Sequence, residues 1–317
     1  MKTVLVTAIG SAAAEITIKR LKELSYRVIG CDIYPENWHA ECAMVDMFFK
    51  ALPVGNEESY IEQIKQWTIQ EKIDYILPLT DVEVDVLCKL HNEFAQLGCK
   101  VLTPDRKCAE LCRNKPLMTD YVNSLALCQT IPTYTPESTP PKDVAFPLVF
   151  KPKNGRSSQG HYTVNTLSEY EHVLTQIDKS YIVQPFIRGN IHTVDVARDS
   201  SGNVRTLVRQ EWLRTGNGLG TTVETYQSHQ LMKVAETMAN AIDLVGVVNI
   251  EFIANGDEYY FLEINPRFSG GVGFSVLAGM DMIEMQMLCH EKQSIEKVGK
   301  PQSLLMASYY QRVITRV

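Results

Sequence analysis

The chain has 317 residues, 45% of them hydrophobic and 21% charged, a balance that excludes a disordered or fibrous protein and fits two or three folded lobes rather than one core. A formal charge of −6 and a pI near 5.7 leave no basic footprint for nucleic acid or an anionic membrane surface. No window approaches the roughly eighteen apolar residues of a spanning helix, so no membrane partner is expected.

The N-terminus enters a strand pattern with no apolar leader before it, and the eight cysteines lie scattered without a CxxC pair, so the expected compartment is the cytoplasm, with thiols kept reduced. Residues 3–8, TVLVTA, are a β-branched run; residues 15–24 have helical spacing; residues 27–34, RVIGCDIY, form a second strand carrying Asp32 near its end. Strand, helix and strand over such a length make a βαβ unit and predict a parallel sheet. A helix over 60–72 leads into the strand at 74–80. A single helix, VDVLCKLHNEFAQLG, then closes on Gly98 as its C-cap, and CKVLTP follows. These four strands predict a Rossmann-like lobe over residues 1–113.

In that lobe the turn TAIGSAAAE occupies the place of a dinucleotide-binding loop, with Asp32 where an acid would hold a ribose hydroxyl. The glycine template falls on Ala8, Gly10 and Ala13, so its first glycine is missing and a nicotinamide oxidoreductase is disfavoured. The helix start after Ser11 can still hold an anion by its free N–H groups, which would make this lobe part of a substrate site. Cys108 and Cys112, four apart, share a helix face and read as packing rather than as half of a metal site.

Asn114-Lys115-Pro116 opens another helix, since proline suits a first helical turn. Residues 130–147 then carry five prolines and read as a connection between lobes. Beyond it the pattern becomes paired strands around SSGN and NGD turns, which predicts antiparallel sheet and an α+β second half. PLVFK ends on Lys151, and Gly155, Ser157, Ser158 and Gly160 follow in a loop that can turn N–H groups and hydroxyls onto a phosphate. In YIVQPFI, the stretch Gln184, Pro185, Phe186 and Ile187 fits either a plain edge strand or an adenine slot, in which apolar residues hold the ring, the carbonyl of Pro185 accepts and the N–H of Ile187 donates.

In FLEINPRFSGG, Glu263 and Asn265 emerge on one strand face and Arg267 follows once Pro266 has ended the ladder. Across the NGD turn Glu251 comes level with Glu263, and two such like charges need a cation between them. Oxygen ligands of this kind suit Mg²⁺, with Mn²⁺ an equivalent hard cation; pairing with arginines such as Arg267 is the structural alternative. Arg209 and Arg214 flank a glycine-rich segment and are either candidates to hold a substrate carboxylate or charges on a solvated strand pair.

NKP around Lys115, FKPKNGRSSQG, YIVQPFIRG, VVNIEFI and FLEINPRFSGG, in this order, resemble the ATP-grasp superfamily, in particular the stand-alone ligases similar to segments of the carbamoyl-phosphate synthase large subunit. The resemblance implies lobes at 1–113 (Rossmann-like), 114–186 (lid) and 187–317 (metal-binding), with ATP held between the last two. It implies that Lys115 and Lys151 contact ATP phosphates under the Gly155–Gly160 loop, that Val183 to Ile187 read adenine, that Glu251, Glu263 and Asn265 hold Mg²⁺, and that Arg267 faces the transferred phosphoryl group. Family members often have Gln-Glu where this chain has Gln184-Pro185, and a ribose-binding glutamate where it has Gly189 to His192, leaving Gln184 or His192 as substitutes. The implied activity is an ADP-producing carboxylate–amine ligase acting through an acyl phosphate on a small carboxylic acid and an amine. The alternative is a nucleotide-binding or regulatory protein that has lost turnover. Chain length and family habit suggest a homodimer.

Overall fold

The opening pattern folds as it reads. In the computed structural model, which describes residues 1–137, 145–155 and 159–315, β1 (Thr3–Thr7), α1 (Ala14–Glu23) and β2 (Arg27–Asp32) form a parallel unit. β4 (Tyr75–Leu77) and β5 (Lys100–Val101) extend the sheet on the other side of β1. A fifth strand that the sequence reading missed, β3 (Met47–Lys50), pairs with β2, giving the order β3-β2-β1-β4-β5. All four of its residues are at least partly exposed, so no buried alternation marks it.

Helix α2 (Glu57–Glu71) lies where its spacing placed it. The single helix expected before Gly98 is two, α3 (Asp81–Leu87) and α4 (His91–Gln96). Leu87, Leu90 and Phe94 bury into the same core, and the break between the helices turns the chain so that all three reach it. Gly98 does end the second helix, at φ +77°.

Helices α5 (Arg106–Arg113) and α6 (Lys115–Leu125) start on capping side chains: Asp105 accepts from the Cys108 N–H at 2.9 Å and Asn114 from the Leu117 N–H at 3.2 Å. Cys108 and Cys112 pack with Met118 and Val122 in a hydrophobic core, as ordinary packing requires. After α6 the strand β6 (Gln129–Thr130) joins the large sheet described below, so the proline-rich connection starts from inside that sheet.

β7 (Leu148–Pro152), β8 (Tyr162–Val164) and β9 (Tyr181–Pro185) make a small antiparallel sheet in the order β8-β7-β9, with α7 (Leu167–Leu174) packed against it. The rest of the chain builds a second sheet from β10 (Asn190–Arg198), β11 (Val204–Arg214), β12 (Gly220–Tyr226), β13 (Gly246–Asn255), β14 (Glu258–Asn265) and β15 (Leu305–Ala307). Its order is β15-β12-β11-β10-β13-β14-β6. Both expected hairpins, β10–β11 and β13–β14, are antiparallel.

Helix α8 (His229–Ala241) covers one face of that sheet through Leu231, Val234, Ala235 and Met238, packed on Val194, Val196 and Val208. Helices α9 (Val272–Leu277) and α10 (Met282–His290) share a core with α1: Ile18 and Leu21 meet Val272, Met282 and Ile283. The first sheet is therefore welded to the end of β14. Among the described residues, no helix is long and apolar enough to cross a membrane.

Candidate active site

Residues directly opposite each other in a sheet share a face, and the register of the large sheet lines up a polar row. Arg209 stands opposite Thr193, Thr193 opposite Glu251, and Glu251 opposite Glu263. One step along, Asp195 faces Asn249, and Asn249 faces Asn265. The two acids singled out in the sequence are thus cross-strand neighbours. A β-bulge helps to place them: Phe252 pairs with Phe261 but Glu251 with Glu263, so the extra residue Leu262 switches the strand from its core-facing to its cleft-facing alternation.

This row is the floor of a cleft of about 430 Å³ whose lining includes Lys115, Lys151, Gly155, Arg209, Arg214, Glu251, Glu263, Asn265 and Arg267. The first lobe supplies another wall, through residues 10–13 and 79–81. Asp32, by contrast, is occupied structurally: its carboxylate accepts from the Gly10 N–H at 3.0 Å and lies 3.2 Å from His39 Nε2. A Cβ at Gly10 would fall 2.4 Å from the His39 ring, so a side chain there would have to displace that ring from Asp32.

The cations of the cleft are held against its acids. Lys115 Nζ lies 3.1 Å from Glu263 and donates to the Gly155 carbonyl at 2.8 Å, while its backbone N–H reaches Lys153 O. Arg214 lies 2.7 Å from Glu211 and 3.3 Å from Glu251. Arg267 grips Asp81 with two bonds, Nε at 2.9 Å and Nη2 at 2.7 Å. Lys151, only 3% exposed, is the most strained of these charges. Burial, aided by the nearby Lys115 ammonium and opposed by Glu263, pushes its pKa down to about 8.

The two acids respond in opposite directions. Burial, then repulsion from Glu263, raises Glu251 to about 7. Burial would raise Glu263 as well, but Lys115 and Lys151 outweigh it and hold that carboxyl below its ordinary range. Asp81 is likewise held low despite its burial, by Arg267 and Arg113. His161 also lines the cleft; burial and the two lysines drive it down to about 4, so it is neutral near pH 7.

A hard divalent cation fits this donor set. Glu251 and Glu263 face each other across one pair of strands, burial and their mutual repulsion keep Glu251 raised even with Arg214 beside it, and Asn265 donates through Nδ2 to Asn249 at 3.1 Å, which leaves its amide oxygen for a ligand.

Several expected residues are engaged by the protein itself or stand away from the cleft. Arg209 is only 1% exposed, with Nη1 bound to Asp195 and Ser275 and Nη2 to Ser269, so it braces the floor and Arg214 is the more open of the two arginines. Gln184 donates to Thr133 at 2.8 Å and the Phe186 N–H to Pro147 O at 2.9 Å; neither these two nor Pro185, Ile187 or Gly160 reach the cleft lining. His192 lies on the opposite face of β10, bonded to the Tyr226 hydroxyl at 2.6 Å, and so cannot serve a ribose at the floor. Ser157 and Ser158 lie outside the described residues.

The sequence reading missed Asp81, Glu211, Asn249 and His161. Glu211 and Asn249 were within reach of strand alternation, each two residues from a residue already chosen. Asp81 had no local signal, because its partner is brought in by tertiary folding.

Residues 178–313 match the family described as ATP-grasp in the biosynthetic pathway with Ter operon, and residues 4–102 match the PylC-like N-terminal domain. The carbamoyl phosphate synthase large chain of Clostridium acetobutylicum is 21% identical over 298 residues, covering 88% of this chain but only 27% of that protein. Among solved structures, the biotin carboxylase of Campylobacter jejuni, in a β,γ-ATP complex, superposes with a TM-score of 0.79 at 19% identity, over 95% of this chain and 73% of that one. The L-amino acid ligase of Bacillus licheniformis gives 0.72 at 15% identity, over 95% and 78%. At these identities the structural likeness is one of fold.

Proposed function

We propose that this chain is an ATP-grasp enzyme, an ADP-producing carboxylate–amine ligase. One observation carries the reading. A single cleft brings together two facing carboxylates, an asparagine and the cations Lys115, Lys151 and Arg267, the groups needed to neutralise a polyphosphate and position its transfer.

Lys115 and Lys151 bind the phosphates, and binding restores to Lys151 the counter-charge that its burial withholds. Glu251, Glu263 and Asn265 would hold Mg²⁺, which when bound supplies neutralising charge to the phosphate oxygens. Arg267 faces the γ-phosphoryl group as it passes to a carboxylate oxygen, giving an acyl phosphate and ADP. An amine then attacks the carbonyl carbon and phosphate leaves with the bonding pair, while the amine gives up a proton. No nucleophilic side chain is required. We assign the lobes to residues 1–113, 114–186 and 187–317, the last two holding the nucleotide between them, and a homodimer as the assembly.

A second reading, a nucleotide-binding or regulatory protein without turnover, draws support from the Gln184 and His192 side chains, which are committed to Thr133 and Tyr226 and leave the ribose-binding end sparse. One assay separates the two: phosphate release with Mg·ATP across a panel of amino acids and amines. The ligase reading expects release with at least one pair, abolished in Glu263→Gln while the melting temperature holds. Tight Mg·ATP binding with no release from any pair favours the second reading, and full activity in Glu263→Gln overturns the metal assignment.

A further inference from the structure

Resting on that reading, we propose that Asp81 is a positioning residue that aims Arg267 at the phosphoryl group in transit and couples this aim to the phosphate loop. Asp81 is the first residue of α3, at the C-terminal edge of the first sheet, and is 1% exposed. Its carboxylate takes Nε and Nη2 of Arg267 at 2.9 and 2.7 Å, and Nη1 donates to Phe268 O at 2.8 Å. A planar guanidinium held at all three nitrogens has a fixed orientation. The Arg267 side chain keeps 18% exposure where that of Asp81 keeps 2%, and both residues line the cleft.

The same carboxylate has a second cation beside it. Arg113 Nη1 lies 3.7 Å from Asp81, and Arg113 also binds Asp85 at 2.9 and 3.3 Å and the Asn154 carbonyl at 3.0 Å. Lys115 holds the carbonyls on either side, Lys153 O through its backbone and Gly155 O through Nζ. The root of the phosphate loop and the arginine at the end of β14 therefore share one buried anion from the first lobe. Asp85 balances Arg113, so what Asp81 supplies to Arg267 is orientation, and the partly exposed guanidinium still lines the cleft.

Calorimetric titration of the full chain with Mg·ADP, alone and with aluminium fluoride as a phosphoryl mimic, tests this. Wild type is expected to bind Mg·ADP and to bind it more tightly with the fluoride. Asp81→Asn and Arg267→Gln should each keep the Mg·ADP affinity within about twofold and lose about tenfold or more of the added tightening, the scale set by an ångström of misplacement. The double variant should lose no more than either single one, because both act on one contact. Asp81→Glu, which keeps the charge but displaces the guanidinium, should lose part of the tightening, and it decides the matter if Asp81→Asn does not fold. Wild-type tightening in Asp81→Asn or Asp81→Glu overturns the proposal. So do additive losses in the double variant, or an equal loss toward Mg·ADP alone, which marks a purely structural role. Absence of any Mg·ADP binding by wild type is a different result and overturns the nucleotide reading itself.

Discussion

Lys151 carries the clearest conflict between stability and function in the molecule. Its ammonium is buried, and its pKa falls from 10.5 in water to about 8 in the folded chain. A base whose folded pKa is depressed destabilises the fold wherever it is protonated, so its cost is fully present below pH 8 and fades as pH rises toward 10.5. Lys151→Met should therefore stabilise the protein at pH 7 by up to about 3 kcal/mol, with the gain shrinking at high pH, as denaturant titration across pH would read. The same variant should bind Mg·ATP far more weakly. Near pH 8 the wild type should take up a proton on binding, because phosphate restores the charged lysine; calorimetry in buffers of different ionisation enthalpy would detect it, and Lys151→Met should lack it.

At the scale of elements, the glycines of FSGGVGF and of the segment before β10 show what contact demands. Gly270 admits Leu219 Cδ1, from the tip of the β11–β12 hairpin, at 2.6 Å from where a Cβ would lie, and Gly271 admits the Arg209 guanidinium at 3.3 Å. Both neighbours are ends of flexible side chains, so small substitutions there shift the hairpin tip or the floor arginine. Gly189 is different, because a Cβ would meet the backbone carbonyl of Ala254 at 2.0 Å, across the β10–β13 ladder. Gly189→Ala should cost roughly 2–4 kcal/mol, since a ladder cannot yield as a side chain does, and a melting temperature unchanged from wild type would refute this. The bulge at Leu262 belongs to the same scale: it brings Glu263 opposite Glu251 in a strand whose Phe261 faces the other side.

At the scale of the whole molecule, the cleft draws on three sheets, and a ligand filling it should stabilise all of them together. Saturating Mg·ATP should raise the melting temperature in a single transition, by the equivalent of about 2.7 kcal/mol at a hundredfold excess over Kd; EDTA should reduce the shift, because the nucleotide then reaches the acid pair without its cation. Much of this architecture is legible in the residues. Strand and helix periodicity located the parallel first sheet, the paired strands after it and the antiparallel hairpin that sets Glu251 against Glu263, because alternation and turn chemistry are local. The missed strand β3 and the break between α3 and α4 are short features whose form depends on what they pack against. Whether a charged side chain is free or already engaged was beyond local reading: Arg209 closes on Asp195, Gln184 on Thr133, His192 turns to Tyr226, and Arg267 meets Asp81 from 186 residues away. The sequence by itself thus determined which chemical groups the protein possesses and which strand faces carry them, since period and spacing are properties of neighbouring residues. Only the tertiary structure decided which of those groups are committed to each other and which are left to a ligand, since an ion pair depends on distance in space and not along the chain.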